Sequence, residues 1–599
     1  MSRTARRALA VAFVGVLVLA ALVVVVNRYV LQQEWWQSEH VTTTQAPGAL
    51  TTTGPPPGPL TSTWQASAEI KPTGMAQFDQ ISYGIVANQI VTTTARGLDV
   101  YDARTGGLRW YYHRTGWSLL GWSATGNVII GYYERLSDRS THVMIGFDAG
   151  SGDERWRSTT VTPPVADQSR PRWPAWHGAV MVAHGRREWL GLDPHTGRTR
   201  WTARVPAGCA VPGVGANAMA GGGPVSALVA ECRVHGRLRA RVLAIDPENG
   251  KTLWHRNLDD STDVSVDSRG GITEVWDGET LRLFTRDGHP LLTRSGDQVC
   301  SDATCPYAIV GGTMVVAVGG DHWTLLGVDT SSGEVRWRRK TGHIDQMVSD
   351  GFRVYALRTR LTDTLLPAAA DVLDPTSGKG HVVPLPFTYR QSDATPWLGV
   401  GGGLLYVGYP VPTLGERGGM RLAALRAAPS GPGPDTLGGV RPSVWPDACR
   451  LLTAADMRET FPGDSYDRRA KRIEVGGVRP GAATSCTYVP DSEGAARPGV
   501  TVRWVAQTPR EAHALLRSLR LDYADAKALP RVGDEAYDLG SLSGEAVVRV
   551  GRYILSVSVG RESGGTSTRL ARQAADRLRA RSAAAARSAT ATPTPSHSS

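Results

Sequence analysis

Six aspartates recur at similar intervals along the chain, and carboxylates that recur could serve metal binding or acid–base chemistry. In each copy a Gly stands four residues after the Asp, and in five copies a Trp stands eight residues after it. The copies are Asp102, Gly106 and Trp110; Asp148, Gly152 and Trp156; Asp193, Gly197 and Trp201; Asp246, Gly250 and Trp254; Asp329, Gly333 and Trp337; and Asp374 with Gly378, which lacks the Trp. We interpret them as scaffold, because one active site does not need the same residues in every copy. Asp can bond the amides ahead of it, Gly permits positive φ, and Trp can pack between copies.

The cysteines form the second group of residues with a possible chemistry. There are six, in three locally spaced pairs: Cys209 and Cys232, Cys300 and Cys305, and Cys449 and Cys486. An even number in an exported chain most simply predicts disulfides. The closely spaced middle pair could instead bind a metal, but no His or second Cys pair is near enough in sequence to complete that site. We therefore expect disulfides and no metal.

Two segments resemble phosphate-binding loops but lack the residues or context that such loops need. Asn249 to Thr252 reads NGKT, the end of a P-loop, but Ile245 stands where the first glycine is required. Residues 213–218, GVGANA, fit a relaxed dinucleotide pattern without the strand and helix that give its glycines a role. We interpret the first segment as a turn of the repeat and the second as a loop.

The repeats themselves predict the architecture. Successive copies lie about 40 to 53 residues apart, with short apolar runs around each turn, and residues 281–293 hold an eroded copy. That period is typical of one four-stranded propeller blade. Residues 60–70 read as a lone strand and residues 420–431 as an incomplete blade, so the two ends together would complete a ring. We predict an all-β, eight-bladed β-propeller over residues 64–430, with seven blades as the alternative.

The repeat pattern [VIL]-x-x-[LIVF]-D-x-x-[TSN]-G-x-x-x-W resembles that of the pyrroloquinoline-quinone-type (PQQ-type) β-propellers. That family includes quinoprotein alcohol dehydrogenases and non-enzymatic relatives, such as the propeller subunit of the β-barrel assembly machine. In the enzymes, the resemblance implies a quinone over a Trp, a cap of two adjacent disulfide-bonded cysteines, and Ca²⁺ held by Glu and Asn beside a basic Asp. This sequence has no adjacent cysteines, and none of those ligands can be assigned to its residues.

The resemblance therefore predicts a non-catalytic binding or scaffold module of the cell envelope that needs no cofactor. The alternative is a PQQ-dependent dehydrogenase of alcohols or sugars, which would require PQQ and Ca²⁺. An exposed apolar or aromatic patch on the propeller would favour the binding role. A central pocket that joins Asp, Glu and Asn above a Trp would favour the enzyme.

The N-terminus predicts membrane attachment. Three arginines within residues 1–7 precede an uncharged apolar run over residues 8–26, long enough to span a bilayer as a helix. A cleaved signal peptide is the competing interpretation, but its apolar region is usually shorter. The arginines favour a cytoplasmic N-terminus. Residues 27–63 are rich in Thr and Pro and predict an extended stalk, which would place the bulk of the chain outside the cytoplasm.

The region after the propeller differs from it in pattern. Residues 441–562 predict a small α+β domain with helices near 447–461 and 508–521 and a terminal hairpin around Gly551. The order D-x-C-x-L-L-T, S-C-x-Y and P-x-V-G-D-E-A-Y resembles small secreted domains of actinobacterial lipoproteins and sensor-type proteins. Residues 563–599 predict a basic helix at 569–587 and a disordered tail.

Composition indicates the source and the class of partner. The 66 Lys and Arg residues outnumber the 55 Asp and Glu residues, and only six of the 66 are Lys, a bias typical of high-GC actinobacteria. The net charge of +11 is spread over the whole chain rather than concentrated in one stripe. We therefore expect no nucleic acid as a partner. The expected partners are the membrane and an envelope protein or glycan.

Overall fold

A computed structural model describes residues 15–16, 18–23, 38–69, 82–94, 97–160, 180–184, 187–211, 219–221, 224–258, 264–295, 305–319, 323–362, 364–389, 396–411, 419–428, 436–475, 478–521, 523, 525–540, 544–560 and 564–590. By internal contacts the chain divides into two compact units. The first unit comprises residues 1–49, 71–277 and 286–288, and the second comprises residues 50–70, 278–285 and 289–599.

Short antiparallel strands make up most of the described chain before residue 428. The first of them are β1 (Ser38–Val41), β2 (Leu60–Glu69), β3 (Ser82–Val86), β4 (Gln89–Thr94), β5 (Gly97–Asp102), β6 (Leu108–Arg114), β7 (Trp117–Thr125), β8 (Val128–Arg135), β9 (Asp138–Asp148), β10 (Glu154–Ser158), β11 (Val180–His184), β12 (Glu188–Leu192), β13 (Thr199–Arg204), β14 (Cys209–Ala210), β15 (Met219–Gly221), β16 (Ser226–Val234), β17 (Arg237–Ile245) and β18 (Thr252–Asn257). The others are β19 (Ser265–Arg269), β20 (Ile272–Trp276), β21 (Thr280–Phe284), β22 (Pro290–Ser295), β23 (Tyr307–Val310), β24 (Thr313–Val318), β25 (Thr324–Asp329), β26 (Val335–Lys340), β27 (Gln346–Ser349), β28 (Val354–Arg358), β29 (Ala369–Leu373), β30 (Gly380–Pro384), β31 (Trp397–Gly401), β32 (Leu404–Val411) and β33 (Gly419–Ala427).

These strands form the blades of a β-propeller. Seven sheets use strands that are consecutive, or nearly so, in sequence. Their orders are β1-β6-β5-β4-β3, β10-β9-β8-β7, β11-β12-β13, β14-β16-β17-β18 with β15 beside β16, β19-β20-β21-β22, β23-β24-β25-β26 and β27-β28-β29-β30. The predicted propeller class is therefore confirmed, with seven blades formed in this way.

Burial within each blade follows its sequence. The inner strands β24 (TMVVAV) and β29 (AADVL) are buried at every position, because both of their faces pack on apolar neighbours. The outer strand β26 (VRWRRK) alternates between exposed and half-buried residues and carries the charges. Apolar side chains of adjacent sheets fill the space between them, as Tyr355, Val372 and Leu405 do in the second unit.

One further sheet joins the two ends of the propeller region, as the sequence predicts. Its order is β2-β33-β32-β31, and β2 pairs with β33 in antiparallel register from Leu60 opposite Ala427 to Glu69 opposite Gly419. The expected pairing of residues 60–70 with residues 420–431 is thus observed. The expected count of eight blades requires this sheet to close the ring, and that closure belongs to the proposal below.

The predicted stalk differs from the observed structure over residues 38–60. Instead of standing away from the domain, this segment lies along it. In the first unit β1 pairs with β6, and the Thr43 amide donates to the Ser151 carbonyl at 2.9 Å. In the second unit the Gly402 amide donates to the Thr51 carbonyl at 2.7 Å. The composition gave no sign of this packing, because backbone groups of the segment make several of the contacts.

Most of the predicted membrane anchor at residues 8–26 lies outside the described residues. Residues 15–16 and 18–23 are helical and exposed to solvent. Among the residues that the structure describes, no helix is both long enough and apolar enough to cross a membrane.

The C-terminal region combines one sheet with three α-helices in its described residues. The strands are β34 (Tyr466–Lys471), β35 (Ser485–Pro490), β36 (Gly499–Val505), β37 (Lys527–Ala528), β38 (Glu535–Asp538), β39 (Glu545–Val550) and β40 (Tyr553–Ser558), in the order β34-β35-β36-β40-β39-β38-β37. The helices are α1 (Ala454–Thr460), α2 (Pro509–Leu521) and α3 (Gly564–Thr590), preceded by 3₁₀ turns at Pro442–Val444 and Ala448–Arg450.

Helix α3 differs from the expected basic helix that starts a tail. It begins earlier, and Leu570, Ala571 and Ala574 are buried in the core of the C-terminal region. Small alanines allow this close packing, which their sequence pattern does not reveal.

The core of the C-terminal region also includes the propeller residues Leu365 and Leu366. The blade formed by β27–β30 and the C-terminal region therefore share one core. The predicted disordered tail at residues 591–599 lies outside the described residues.

Candidate functional site

The repeated aspartates cap their own turns. In five copies, one carboxylate oxygen accepts hydrogen bonds from the amides two and three residues ahead, as Asp102 does from Arg104 at 3.1 Å and Thr105 at 2.9 Å. The five are Asp102, Asp148, Asp193, Asp329 and Asp374. Asp246 accepts from the Glu248 amide and the Asn249 side chain. Each carboxylate therefore accepts hydrogen bonds within its own turn.

The electrostatics of two of these turns favour the ionised form of the carboxylate, at Asp329 and at Asp374. Hydrogen bonds from Ser331 and Ser332 hold the pKa of Asp329 below its ordinary value. Hydrogen bonds from Thr376 and Ser377 do the same for the pKa of Asp374. A group that is charged and already satisfied is a poor general acid or base at neutral pH. The repeat aspartates thus act as turn residues.

The repeated tryptophans and glycines connect one repeat to the next. Each indole Nε1 donates to a backbone carbonyl in the following turn, at distances of 2.8 to 3.0 Å. The pairs are Trp110 with Ala149, Trp156 with Pro194, Trp201 with Pro247, Trp254 with Arg286 and Trp337 with Pro375. The glycine of the following turn lies against the same indole, as Gly152 does against Trp110. The predicted packing of Trp between copies is therefore a contact of each tryptophan with the turn of the next repeat.

Two of the predicted disulfides are confirmed. Cys209 bonds to Cys232 across β14 and β16, and Cys449 bonds to Cys486 in the C-terminal region. Cys305 is also disulfide-bonded, whereas its predicted partner Cys300 lies outside the described residues.

The candidate ligand loops add no binding chemistry in the described residues. Asn249 caps the repeat turn through the Lys251 amide, which donates to its side-chain oxygen at 2.9 Å, and Thr252 begins β18. Residues 213–218 lie outside the described residues. Within the described part of the chain, no group of three or more His, Cys, Asp or Glu side chains is arranged to hold a metal ion.

A hairpin tip presents an aromatic side chain that the sequence analysis missed. Phe352, between β27 and β28, is 71 % exposed. Asp350 beside it is buried, and one of its carboxylate oxygens accepts from the Phe352 amide at 2.9 Å and the Arg353 amide at 2.7 Å. The other oxygen accepts from the Gly54 amide and the Tyr355 hydroxyl, each at 3.0 Å. The exposed ring therefore sits on a fixed backbone.

A cavity of about 150 Å³ lies between the blade formed by β27–β30 and the C-terminal region. The sequence analysis did not predict it. We call it the Arg360–Arg503 pocket. It is lined by Arg360, Leu365, Leu366, Thr388, Tyr389, Arg503, Leu519 and Tyr523. Its arginines come from distant segments without a shared motif, which is why inspection of the sequence could not pair them.

The walls of this pocket are tied together by hydrogen bonds. The Leu366 amide donates to the Arg503 carbonyl at 3.1 Å, and the Ser518 hydroxyl of α2 donates to the Thr388 carbonyl at 3.0 Å. Below them, the Tyr389 hydroxyl donates to Asp345 at 2.7 Å. Burial, together with the nearby Asp345 carboxylate, raises the pKa of Tyr389 well above its ordinary value. Tyr389 thus remains a neutral donor at physiological pH.

The two arginines of the pocket differ in whether an acidic residue pairs with them. Arg503 pairs with Glu545 at 3.2 Å, and its Nε is buried without a hydrogen-bond partner in the described structure. Arg360 is exposed and forms no ion pair with any described residue. The lining contains no carboxylate. Arg360 therefore contributes a positive charge that no described carboxylate pairs with.

Comparison with known proteins places this chain among propellers of one family. The family described as outer membrane protein assembly factor BamB matches residues 61–228 and 238–379. Among solved structures, BamB from Moraxella catarrhalis is 14 % identical, with 61 % of this chain and 99 % of that chain covered and a TM-score of 0.39. A eukaryotic initiation factor is 10 % identical, with 55 % and 80 % covered and a TM-score of 0.35. No curated protein matches the chain.

Proposed function

Because the chain belongs to the PQQ-type β-propeller repeat family described as outer membrane protein assembly factor BamB, we propose that it is a non-catalytic binding or scaffold module of the cell envelope. The family description supports a role in which the propeller contacts another protein. The use of the repeat aspartates as turn caps agrees with this role, since it leaves those carboxylates no part in chemistry.

The observation that carries the proposal is the exposed ring of Phe352 on its fixed hairpin. Aromatic residues dominate the binding energy of many protein interfaces. A side chain whose backbone is already ordered loses less conformational entropy on binding. The hydrogen bonds of Asp350 provide this order, because they hold the amide of Phe352 and the amide of Arg353, the residue that follows it. We therefore place the contact with an envelope protein at this hairpin.

Membrane attachment through residues 8–26 is part of the proposal. It is supported by the length and apolar character of that run and by the helical, exposed state of residues 18–23 within it. An exported location is supported by the two disulfides at Cys209–Cys232 and Cys449–Cys486, since such bonds persist in oxidising compartments. The bulk of the chain would then lie outside the cytoplasm.

Ring closure is the next part of the proposal. The sheet formed by β2 with β31, β32 and β33 would be the eighth blade, closed by an N-terminal strand that pairs with a C-terminal one. Closure would remove the open sheet edges that favour aggregation. We also propose that the propeller works without PQQ or Ca²⁺, since neither the adjacent cysteines nor the ligands of the quinoprotein enzymes can be assigned.

The experiment is photo-cross-linking in intact cells that produce the full chain. A photoreactive residue replaces Phe352 in one version and Leu253, an exposed residue of the outer strand β18, in the control. We expect a discrete protein adduct from position 352 and none from position 253. The adduct should weaken when Asp350→Ala removes the hydrogen bonds that hold the hairpin. Equal adducts at both positions, or none at 352, would contradict the proposed contact, and a carbohydrate adduct would indicate a glycan ligand instead.

A further inference from the structure

We propose that the Arg360–Arg503 pocket is a binding site for a small carboxylate that carries an apolar group. This site is separate from the contact at Phe352 and goes beyond the scaffold role. The pocket joins two arginines, three hydroxyl-bearing residues and three leucines around one cavity. That combination offers donors for an anion at one end and an apolar surface for the rest of the ligand.

The charge of the pocket selects a monoanion. Glu545 already balances Arg503, and Arg360 has no acidic partner among the described residues. One carboxylate would therefore pair with Arg360, whereas a phosphate dianion would bring a second negative charge close to Glu545 and to the Asp345 carboxylate behind Tyr389. The buried Nε of Arg503 is a donor without an acceptor, and leaving such a donor unsatisfied costs free energy. A carboxylate oxygen would supply that acceptor, and charge-assisted hydrogen bonds of this kind are the stronger ones.

The size and lining of the cavity limit the apolar part of the ligand. A cavity of about 150 Å³ lined by apolar residues is known to hold a benzene-sized molecule. Here Leu365, Leu366 and Leu519 provide the apolar surface. The first two belong to the core of the C-terminal region, so their positions are fixed by packing. The ligand should therefore be a carboxylate with one short or ring-sized apolar group.

The walls require little rearrangement to bind such a ligand. The hydrogen bonds from Leu366 to Arg503 and from Ser518 to Thr388 already join the two sides. The buried Tyr389 is held by Asp345 and keeps its proton. A preformed site pays little ordering entropy on binding. Two sources share the ligand chemistry: a free small acid, and the C-terminal carboxylate of a polypeptide whose last residue is apolar.

The test uses the full-length chain in detergent and the probe 4-fluorobenzoate, followed by ligand-observed ¹⁹F NMR with protein-free micelles as background. We expect saturable binding with a Kd on the order of 1 mM, as suits so small a ligand. The neutral 4-fluorobenzyl alcohol should not saturate at the same concentrations. Arg360→Gln should weaken 4-fluorobenzoate about tenfold or more, because it removes the uncompensated charge.

The matched control is Arg338→Gln, which removes an exposed arginine of β26 outside the pocket and should leave the Kd unchanged. Both arginines are exposed, so both variants should retain the wild-type melting temperature. An acetylated tripeptide ending in Phe, tested as the acid and as the amide, separates the sources: tighter binding of the acid than of 4-fluorobenzoate indicates a polypeptide terminus, and weaker binding a free acid. No saturable binding by the folded wild type, or equal binding by Arg360→Gln, would overturn the proposal. Neither result bears on cross-linking at Phe352.

Discussion

Trp337 ends one repeat and packs against Gly378 in the turn of the next, so closely that a Cβ at position 378 would lie 2.5 Å from Cε3 of the indole. The same indole donates to the Pro375 carbonyl at 2.8 Å. Gly378 adopts a φ of 66°, in the left-handed region that disfavours side chains. One glycine thus serves two purposes, turning the chain and leaving room for the tryptophan of the preceding repeat.

Substitution of Gly378 should separate these two purposes. Gly378→Ala introduces both backbone strain and a clash with Trp337, so we expect a loss of about 2 to 4 kcal/mol in local stability. Gly351→Ala is the control, because Gly351 has a φ of 90° but no heavy atom within 4 Å of the position that a Cβ would take. That change should cost only about 1 to 2 kcal/mol. Hydrogen exchange of the β26 and β30 amides measures the first value and that of the β27 and β28 amides the second, and equal losses would show that the indole contact adds nothing.

The repeat turns were predictable because their interactions are local or recur at a fixed spacing. The Asp102 carboxylate bonds amides within its own turn, and Trp110 reaches the carbonyl of Ala149 in the next copy. Such contacts leave a pattern in the sequence. The pairing of β2 with β33 was also predictable, because each end held an incomplete blade. The cysteine pairs Cys209–Cys232 and Cys449–Cys486 followed from their local spacing.

Contacts between distant segments that follow no pattern were not predictable. Residues 38–60 are poor in large apolar side chains, and several of their contacts use backbone amides and carbonyls, so composition alone suggested a free stalk. The alanines of α3 pack closely without an obvious apolar stripe. Arg360 lies in the propeller and Arg503 in the C-terminal region, and only the tertiary structure brings both to one cavity.

The packing of the segment before β2 can be tested at Gly54. This residue is buried, and a Cβ there would lie 2.6 Å from the Tyr355 hydroxyl oxygen, which itself lies 2.9 Å from the Pro55 carbonyl oxygen. Gly54→Val should therefore displace the segment, at a cost of about 1 to 3 kcal/mol. We expect faster hydrogen exchange of the Gly54 amide and of its neighbours. Gly48→Val is the control, because no heavy atom lies within 4 Å of its Cβ position. Similar exchange in both variants would contradict the packed arrangement.

Acid should weaken the contact between α1 and α3. Burial raises the pKa of Asp456, but hydrogen bonds from Arg577 and Thr453 outweigh it, so the pKa lies below its ordinary value. Arg577 donates to the two carboxylate oxygens at 2.8 and 3.1 Å. Because the folded pKa is the lower one, this stabilisation is present above about pH 4 and is lost as the pH falls through the folded pKa.

Asp456→Asn should remove that pH dependence. At pH 7 we expect it to lower the stability of the C-terminal region by about 1 to 3 kcal/mol, since it breaks a largely buried ion pair and a helix cap. The difference from the wild type should shrink as the pH falls below 4. Asp576→Asn removes an exposed carboxylate of α3 and should change stability by less than about 0.5 kcal/mol. Scanning calorimetry at pH 7, 5 and 3 measures these differences, and a gap for Asp456→Asn that persists at the lowest pH would contradict the assignment.

The proposed independence from a quinone predicts that PQQ with Ca²⁺ does not bind the oxidised, full-length chain. The reason is chemical: a quinone site needs ligands for Ca²⁺ and a free carboxylate base, whereas Asp329 and Asp374 are each held by the amides and hydroxyls of their own turns. Titration followed by tryptophan fluorescence should show only the linear loss that free tryptophan shows from light absorption by PQQ. An apo-quinoprotein dehydrogenase serves as the positive control. Saturable quenching at micromolar PQQ that requires Ca²⁺ would contradict the scaffold role and favour the dehydrogenase, because a mere platform has no reason to assemble such a site.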